Sequence, residues 1–241
     1  MRPGSGSGTV TLVVAADRFV FVQLHTCGGE FVKDFLTQFV AGARLIGRHV
    51  PRRLIPPSLV HLPTLGFVRN PWSYYVLWYA LEARRRAPSL LYRALSEEGR
   101  LGFAPTLERM LELGADGRLL DQVVAALPPR YTGRGLNLPG FALEPIRASG
   151  LGFFSFLYRH MYDAPGISHI RRVERLREEL IPMLVAVGQP VSAAMRARAL
   201  EAPQESAAER RYLGHYGETL RDRVAERDAV LIARYGYQFA A

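Results

Sequence analysis

Gln23-Leu-His-Thr-Cys-Gly-Gly-Glu-Phe-Val-Lys33 is the stretch on which the reading of this chain turns. It follows an apolar run, Phe19 to Val22 with Leu24, that reads as a strand buried on both faces of a parallel sheet. Gly28 and Gly29 then allow a tight turn and a close backbone approach to a ligand. Behind them Val32, Phe35, Leu36, Phe39 and Val40 recur at helical spacing, predicting a helix over residues 29–44. Unpaired amides and a positive dipole end at a helix start favour an anion. A phosphate or sulfate group at this turn is the first expectation.

Working outward, the segment 9–15 reads as an edge strand, and residues 1–8 as a flexible tail. A basic, proline-bearing connection runs from Arg48 to Pro63. The second short apolar strand, Leu65–Val68, leads straight into Arg69-Asn70-Pro71-Trp72. Asn70 suits a helix cap and Pro71 the first helical position. Trp72, Tyr75, Val76, Tyr79 and Ala80 share one face of the helix that follows, and the tryptophans and tyrosines there read as core packing. Residues 89–150 hold short helices at 89–98, 105–113 and 117–126, then a Pro/Gly-rich stretch; they read as a helical insert or lid over the binding edge. An aromatic helix at 153–162, a returning strand at 166–173, a helix at 175–187 and a long charged helical region at 207–234 complete the order. Strands alternating with helices predict an α/β fold: one domain, 9–241, with a P-loop-like parallel sheet flanked by helices.

Composition narrows the partners. The 241 residues carry a formal net charge of +9, with thirty arginines and one lysine, Lys33. That surplus favours anionic ligands. The basic residues are dispersed and no recognition motif is visible, so nucleic acid is not the expected partner. The single cysteine, Cys27, excludes internal disulfides and fits a reducing, cytoplasmic setting. No apolar run approaches the roughly 20 residues of a membrane span, and no secretory leader is expected. No metal-ligand spacing occurs among one Cys and six His, and the ATP-hydrolysing P-loop pattern is missing.

Four segments, in order, resemble the sulfotransferases that use 3′-phosphoadenosine-5′-phosphosulfate, in their bacterial and carbohydrate-type branch. They are Leu24 to Val32, Phe67 to Tyr79, Arg172 to Arg177 and the close Tyr212 to Phe239. The resemblance implies that Thr26, Cys27, Gly28, Gly29, Glu30 and Phe31 hold the 5′-phosphosulfate and that Arg69 holds the 3′-phosphate. It implies sulfuryl transfer by in-line displacement to a hydroxyl or amine of a small-molecule or sugar acceptor, without a metal. The chain departs from the family at three places: Thr26 stands where the loop lysine is usual, Leu77 where a serine contacts the 3′-phosphate, and Glu30 where a threonine is common.

Candidate catalytic residues are Thr26, as a neutral hydrogen-bond donor, and His25 or His61, as a base near neutral pH. Cys27 reads as a small loop residue rather than a nucleophile, Lys33 as a solvated helix residue, and Glu174 as a structural hydrogen-bonding group. Arg130 and Arg134 in the insert, or an arginine of the C-terminal region, are candidate replacements for the missing cation. The departures also support an alternative, a sulfotransferase-fold protein whose chemistry is lost or repurposed.

Overall fold

A computed structural model describes residues 12–48, 50–133, 136–203 and 211–239. The tail 1–8, the start of the first predicted strand, Arg134 and residues 207–210 of the predicted last helix lie outside the described residues. The elements begin with β1 (Leu12–Ala15), β2 (Val20–Val22), α1 (Gly29–Phe39), β3 (Arg44–Arg48), β4 (Thr64–Val68) and α2 (Pro71–Ala83). The insert forms α3 (Leu90–Leu95), α4 (Phe103–Glu112), α5 (Gly117–Ala126) and α6 (Gly140–Leu143). Then come α7 (Phe153–Tyr162), β5 (Ser168–Arg172), α8 (Leu176–Ala186), α9 (Ala193–Leu200), α10 (Glu218–Arg227) and α11 (Ala229–Tyr235).

The five strands form one sheet in the order β3-β1-β2-β4-β5. The expected α/β class holds, but the expected all-parallel sheet does not. β2, β4 and β5 are mutually parallel, whereas β1 runs antiparallel to both β2 and β3. The reason is the length of the first connection. Ala16 to Phe19 closes on itself, with the Ala16 amide donating to the Phe19 carbonyl at 3.0 Å, and so short a link makes only a hairpin; parallel neighbours need a crossover of about a dozen residues or more. β1 is interior, not the expected edge strand, because β3 pairs on its other side; β3, in a segment expected to be helix end and loop, is one edge and β5 the other. Helix α1 stops at Phe39, five residues early, and Gly42 at φ 73 turns the chain into β3. An edge strand that begins and ends in arginine is protected against pairing with another chain.

The core lies on both faces of the sheet. Val20, Phe21, Val22, Leu65, Phe67 and Val68 are buried, with Val32, Phe35 and Leu36 of α1 against one side. From α7, the Tyr162 hydroxyl donates to the carbonyls of Val22 and Phe67, at 3.0 and 3.1 Å, tying two parallel strands to one helix. Trp72, Tyr74, Tyr75 and Trp78 are buried, so the aromatic residues pack in the core as expected, but the face differs from the expected one: Val76, Tyr79 and Ala80 are only half-buried. Among the described residues the charged C-terminal region is helical, as expected, and α10 and α11 follow one another directly. They meet at Asp228, whose buried carboxylate accepts from the Tyr75 hydroxyl at 2.6 Å and the Ser155 amide at 2.8 Å. Burial raises the Asp228 carboxyl above its usual range, and these hydrogen bonds hold it partly back. No helix of the described residues is long and apolar enough to cross a membrane.

His160, on α7, is buried beside Phe156 and Tyr131, with its Nδ1 3.2 Å from the Arg53 guanidinium. Burial first, and Arg53 second, lower its pKa from 6.5 to about 4. A histidine with a lowered folded pKa stabilises the fold above its unfolded value, and that contribution is lost as pH falls from 6.5 toward 4. The shift corresponds to about 3 kcal/mol. Denaturant unfolding at pH 7, 5 and 4 is expected to show wild type losing about that much relative to His160→Phe; parallel curves for the two chains would contradict it.

Candidate functional site

The parallel strands β2, β4 and β5 all end at one edge, and each delivers a segment to a single cavity of about 340 Å³. This is the crevice outside the carboxyl ends of the strands, where open α/β sheets bind ligands. After β2 come Gln23, Thr26, Gly28, Gly29, Glu30 and Phe31; after β4, Arg69; after β5, Val173 and Glu174. Leu77 and Leu81 of α2 form an apolar wall.

The loop is bent by two left-handed residues, Thr26 at φ 60 and Gly28 at φ 72. Glycine takes that conformation freely, but a β-branched threonine there is strained. A bond from another element holds the strained residue in place. The Arg69 Nε donates to the Thr26 carbonyl at 2.9 Å, while Nη1 of the same guanidinium lies 3.4 Å from the Ser73 hydroxyl. Gly28 is the N-cap of α1 and offers no side chain to the first-turn amides, which by helix geometry have no intrahelical acceptor. Gly29 leaves room for the Gln23 side chain: a Cβ there would sit 1.6 Å from it and force it to shift. The turn thus sets the start of an 11-residue helix, with its positive dipole end, beside the cavity.

The expected site residues divide into three groups. Thr26, Gly28, Gly29, Glu30, Phe31 and Arg69 are brought together around the cavity. Cys27 and His25 are buried beneath the loop and do not line it. Burial pushes the Cys27 thiol well up, outweighing the Arg69 guanidinium that lowers it, so the thiol is inert. His61 lies before β4, whereas the cavity lies after it. The intervening five residues of strand span roughly 17 Å, so His61 is separated from the site by its position at the wrong end of the strand.

The local electrostatics are mixed. Arg69 is the one cation among the described lining residues, facing the carboxylates of Glu30 and Glu174. Lys33 bridges Glu30 at 2.8 Å and Asp34 at 2.9 Å on the surface of α1, which raises its pKa. It does not line the cavity and does not replace a loop lysine. The Thr26 hydroxyl is also engaged, donating to the His25 carbonyl at 2.7 Å. Arg130 lines a different cavity. Glu174 has the structural role expected of it: it accepts from the Asn70 amide at 2.6 Å and from the Tyr237 hydroxyl at 3.3 Å. Asn70 caps α2 through the Trp72 amide at 3.0 Å and donates to the Gln238 carbonyl at 3.1 Å. The C-terminal Gly-Tyr-Gln close is thereby fastened under the strand ends.

Sequence reasoning did not anticipate α9, which packs against α1 and sets Arg198 over the Phe31 ring at 5.1 Å. That brings a second guanidinium to the rim, through a ring contact that no local pattern records. Among the described residues no group of three or more His, Cys, Asp or Glu is placed to hold a metal ion. Comparison with protein-family models, with curated proteins and with solved structures gives no match.

Replacing Arg69 by methionine keeps its length but removes the donor to Thr26. Denaturant unfolding is expected to show a loss of about 1–3 kcal/mol, the cost of an orphaned partner of a charged hydrogen bond. An unchanged midpoint would mean that the guanidinium does not hold the loop.

Proposed function

We propose that this crevice binds the two phosphate-bearing ends of 3′-phosphoadenosine-5′-phosphosulfate, and that the chain transfers its sulfuryl group to an acceptor hydroxyl or amine. The observation that carries the reading is the convergence at one sheet edge of the left-handed loop, the start of α1 and the Arg69 guanidinium. Loop amides supply oriented donors for the 5′-phosphosulfate, and Arg69 supplies the planar fork suited to a phosphate. The cavity's size suits a small ligand. A P-loop-like ancestry for the strand–loop–helix unit belongs to this reading, as does a lid role for residues 89–150.

Chemistry in this reading proceeds without a lysine at the loop. The attacking oxygen forms its bond to sulfur as the sulfur–bridging-oxygen bond breaks, and the negative charge passes to the leaving bisphosphate. Main-chain donors and the helix dipole stabilise that charge. The acceptor proton goes to Glu30, the half-exposed cavity carboxylate, whose Oε2 also pairs with Lys33 at 2.8 Å; Glu174 is buried deeper and held by both Asn70 and Tyr237. Isothermal calorimetry with adenosine 3′,5′-bisphosphate tests the binding step. Saturable 1:1 binding is expected, and no heat at millimolar ligand would exclude the nucleotide site. Glu30→Gln is expected to keep that binding and to lower turnover roughly 10²–10⁴-fold, the usual contribution of a general base; unchanged turnover would remove Glu30 from the mechanism.

A second reading, a sulfotransferase-like scaffold with lost or repurposed chemistry, is favoured by two observations. The Thr26 hydroxyl is spent on a backbone carbonyl, and Leu77 presents an apolar wall where a phosphate contact would lie. Thr26→Lys separates the two readings. A gain in sulfuryl transfer of roughly 10²-fold or more, the scale of a restored transition-state donor, favours the degenerate site. Unchanged or reduced transfer from an active wild type favours the first reading.

A further inference from the structure

Beyond the end of α2 lies a larger cavity, of about 830 Å³, that the nucleotide reading does not use. The first cavity touches Leu77 and Leu81, and this one begins at Arg85, just past the helix. Its walls are apolar, formed by Pro88, Leu90, Leu91, Leu127, Leu136 and Leu138. Apolar surface is also left uncovered around it. Leu90, in the wall, is 42% exposed, and Phe141, whose ring meets the lining Tyr131 edge-on at 5.6 Å, is 58% exposed.

The charge of this cavity is one-sided. Its described lining residues include Arg85 and Arg130 and no Asp or Glu, in contrast to the first cavity. Arg85 is held by Glu82 at 2.6 Å, a buried carboxylate that also accepts from the Ser89 amide at 2.6 Å. Arg130 is exposed and has no acidic partner among the described residues. A third guanidinium approaches from outside, since Arg53 donates to the Tyr131 hydroxyl at 3.2 Å. The rim is also built in advance: Asn137, left-handed at φ 48, accepts from the amides of Thr132 and Gly133 at 2.7 and 2.8 Å. Preorganised apolar walls with a few fixed polar groups are the ordinary form of a small-molecule site.

We propose that this cavity binds an amphiphilic carboxylate, an alkyl or aryl body lying along the leucine wall with its anionic head at Arg130. Arg130 supplies a charge-assisted hydrogen bond, while burial of the body against leucine and proline supplies most of the affinity; Arg85 is neutralised by Glu82 and adds little. The site is independent of the nucleotide reading, because it shares no lining residue with the first cavity.

Calorimetric titration of the full chain with decanoate, below its micellar concentration, tests this. Saturable 1:1 binding is expected, with 1-decanol binding more weakly. Arg130→Gln is expected to weaken decanoate about tenfold, the scale of one charge-assisted hydrogen bond. Leu90→Asp places a carboxylate in the wall at a helix start that tolerates it, and is expected to weaken decanoate further still. Both positions are exposed, so both variants retain the fold. Adenosine 3′,5′-bisphosphate binding is expected to be the same in Arg130→Gln as in wild type, so the two sites fail separately. Absence of saturation, equal affinity for decanol and decanoate, or wild-type decanoate affinity in both variants would overturn the proposal.

Discussion

The hydrogen bond from the Arg69 guanidinium to the Thr26 carbonyl is the contact on which the crevice depends. Thr26 is held in a backbone region that costs a β-branched residue energy, and such a conformation persists only where surrounding contacts over-determine it. Arg69 is delivered to this point because β4 is parallel to β2 and ends beside it. A guanidinium at the end of one strand thus sets the shape of the loop at the end of its neighbour. In the proposed reading, the shape of the loop and the grip on a phosphate rest on the same side chain.

A second layer of polar contacts fixes Arg69 itself. The residue after it, Asn70, is bound through its amide to Glu174 and through its side chain to the start of α2 and to Gln238. Tyr237 closes the set by donating to Val68 and lying within reach of Glu174. The ends of β4 and β5 are joined to Tyr237 and Gln238 by buried or half-buried hydrogen bonds. Partners of this kind are costly to remove one at a time, so the C-terminal segment is part of the crevice although it lines none of it. Asp228 does similar work farther away, joining α2, α7 and the break between α10 and α11.

Much of this was legible in the sequence, where local chemistry decides structure. The glycine turn, the Asn-Pro start of α2, the aromatic helix at 153–162 and the last strand before Glu174 all follow from short-range patterns. Strand direction was not legible from apolar content alone, and only the short link at Asp17 and Arg18 pointed to a hairpin. β3 escaped notice because an arginine-bounded edge strand lacks the apolar signature of its neighbours. In the site, the loop and Arg69 were visible as a pattern, but the fate of each polar atom was not. That the Thr26 hydroxyl turns back on His25, that Lys33 is consumed by Glu30 and Asp34, and that His61 falls at the far end of its strand are consequences of three-dimensional placement. The leucine cavity was illegible for the same reason, because its wall is drawn from two segments far apart in the chain, 85–91 and 127–138.

In the proposed reading, main-chain donors at the start of α1, shaped by Arg69, receive a phosphate-bearing nucleotide. Amide nitrogen–proton NMR spectra of the chain, titrated with adenosine 3′,5′-bisphosphate, observe those donors directly. The account predicts saturable shifts of the Gly28, Gly29 and Glu30 amides in the wild-type chain, and loss of those shifts when residue 69 is methionine. Shifts confined to other regions, or the same loop shifts without the guanidinium, would contradict it.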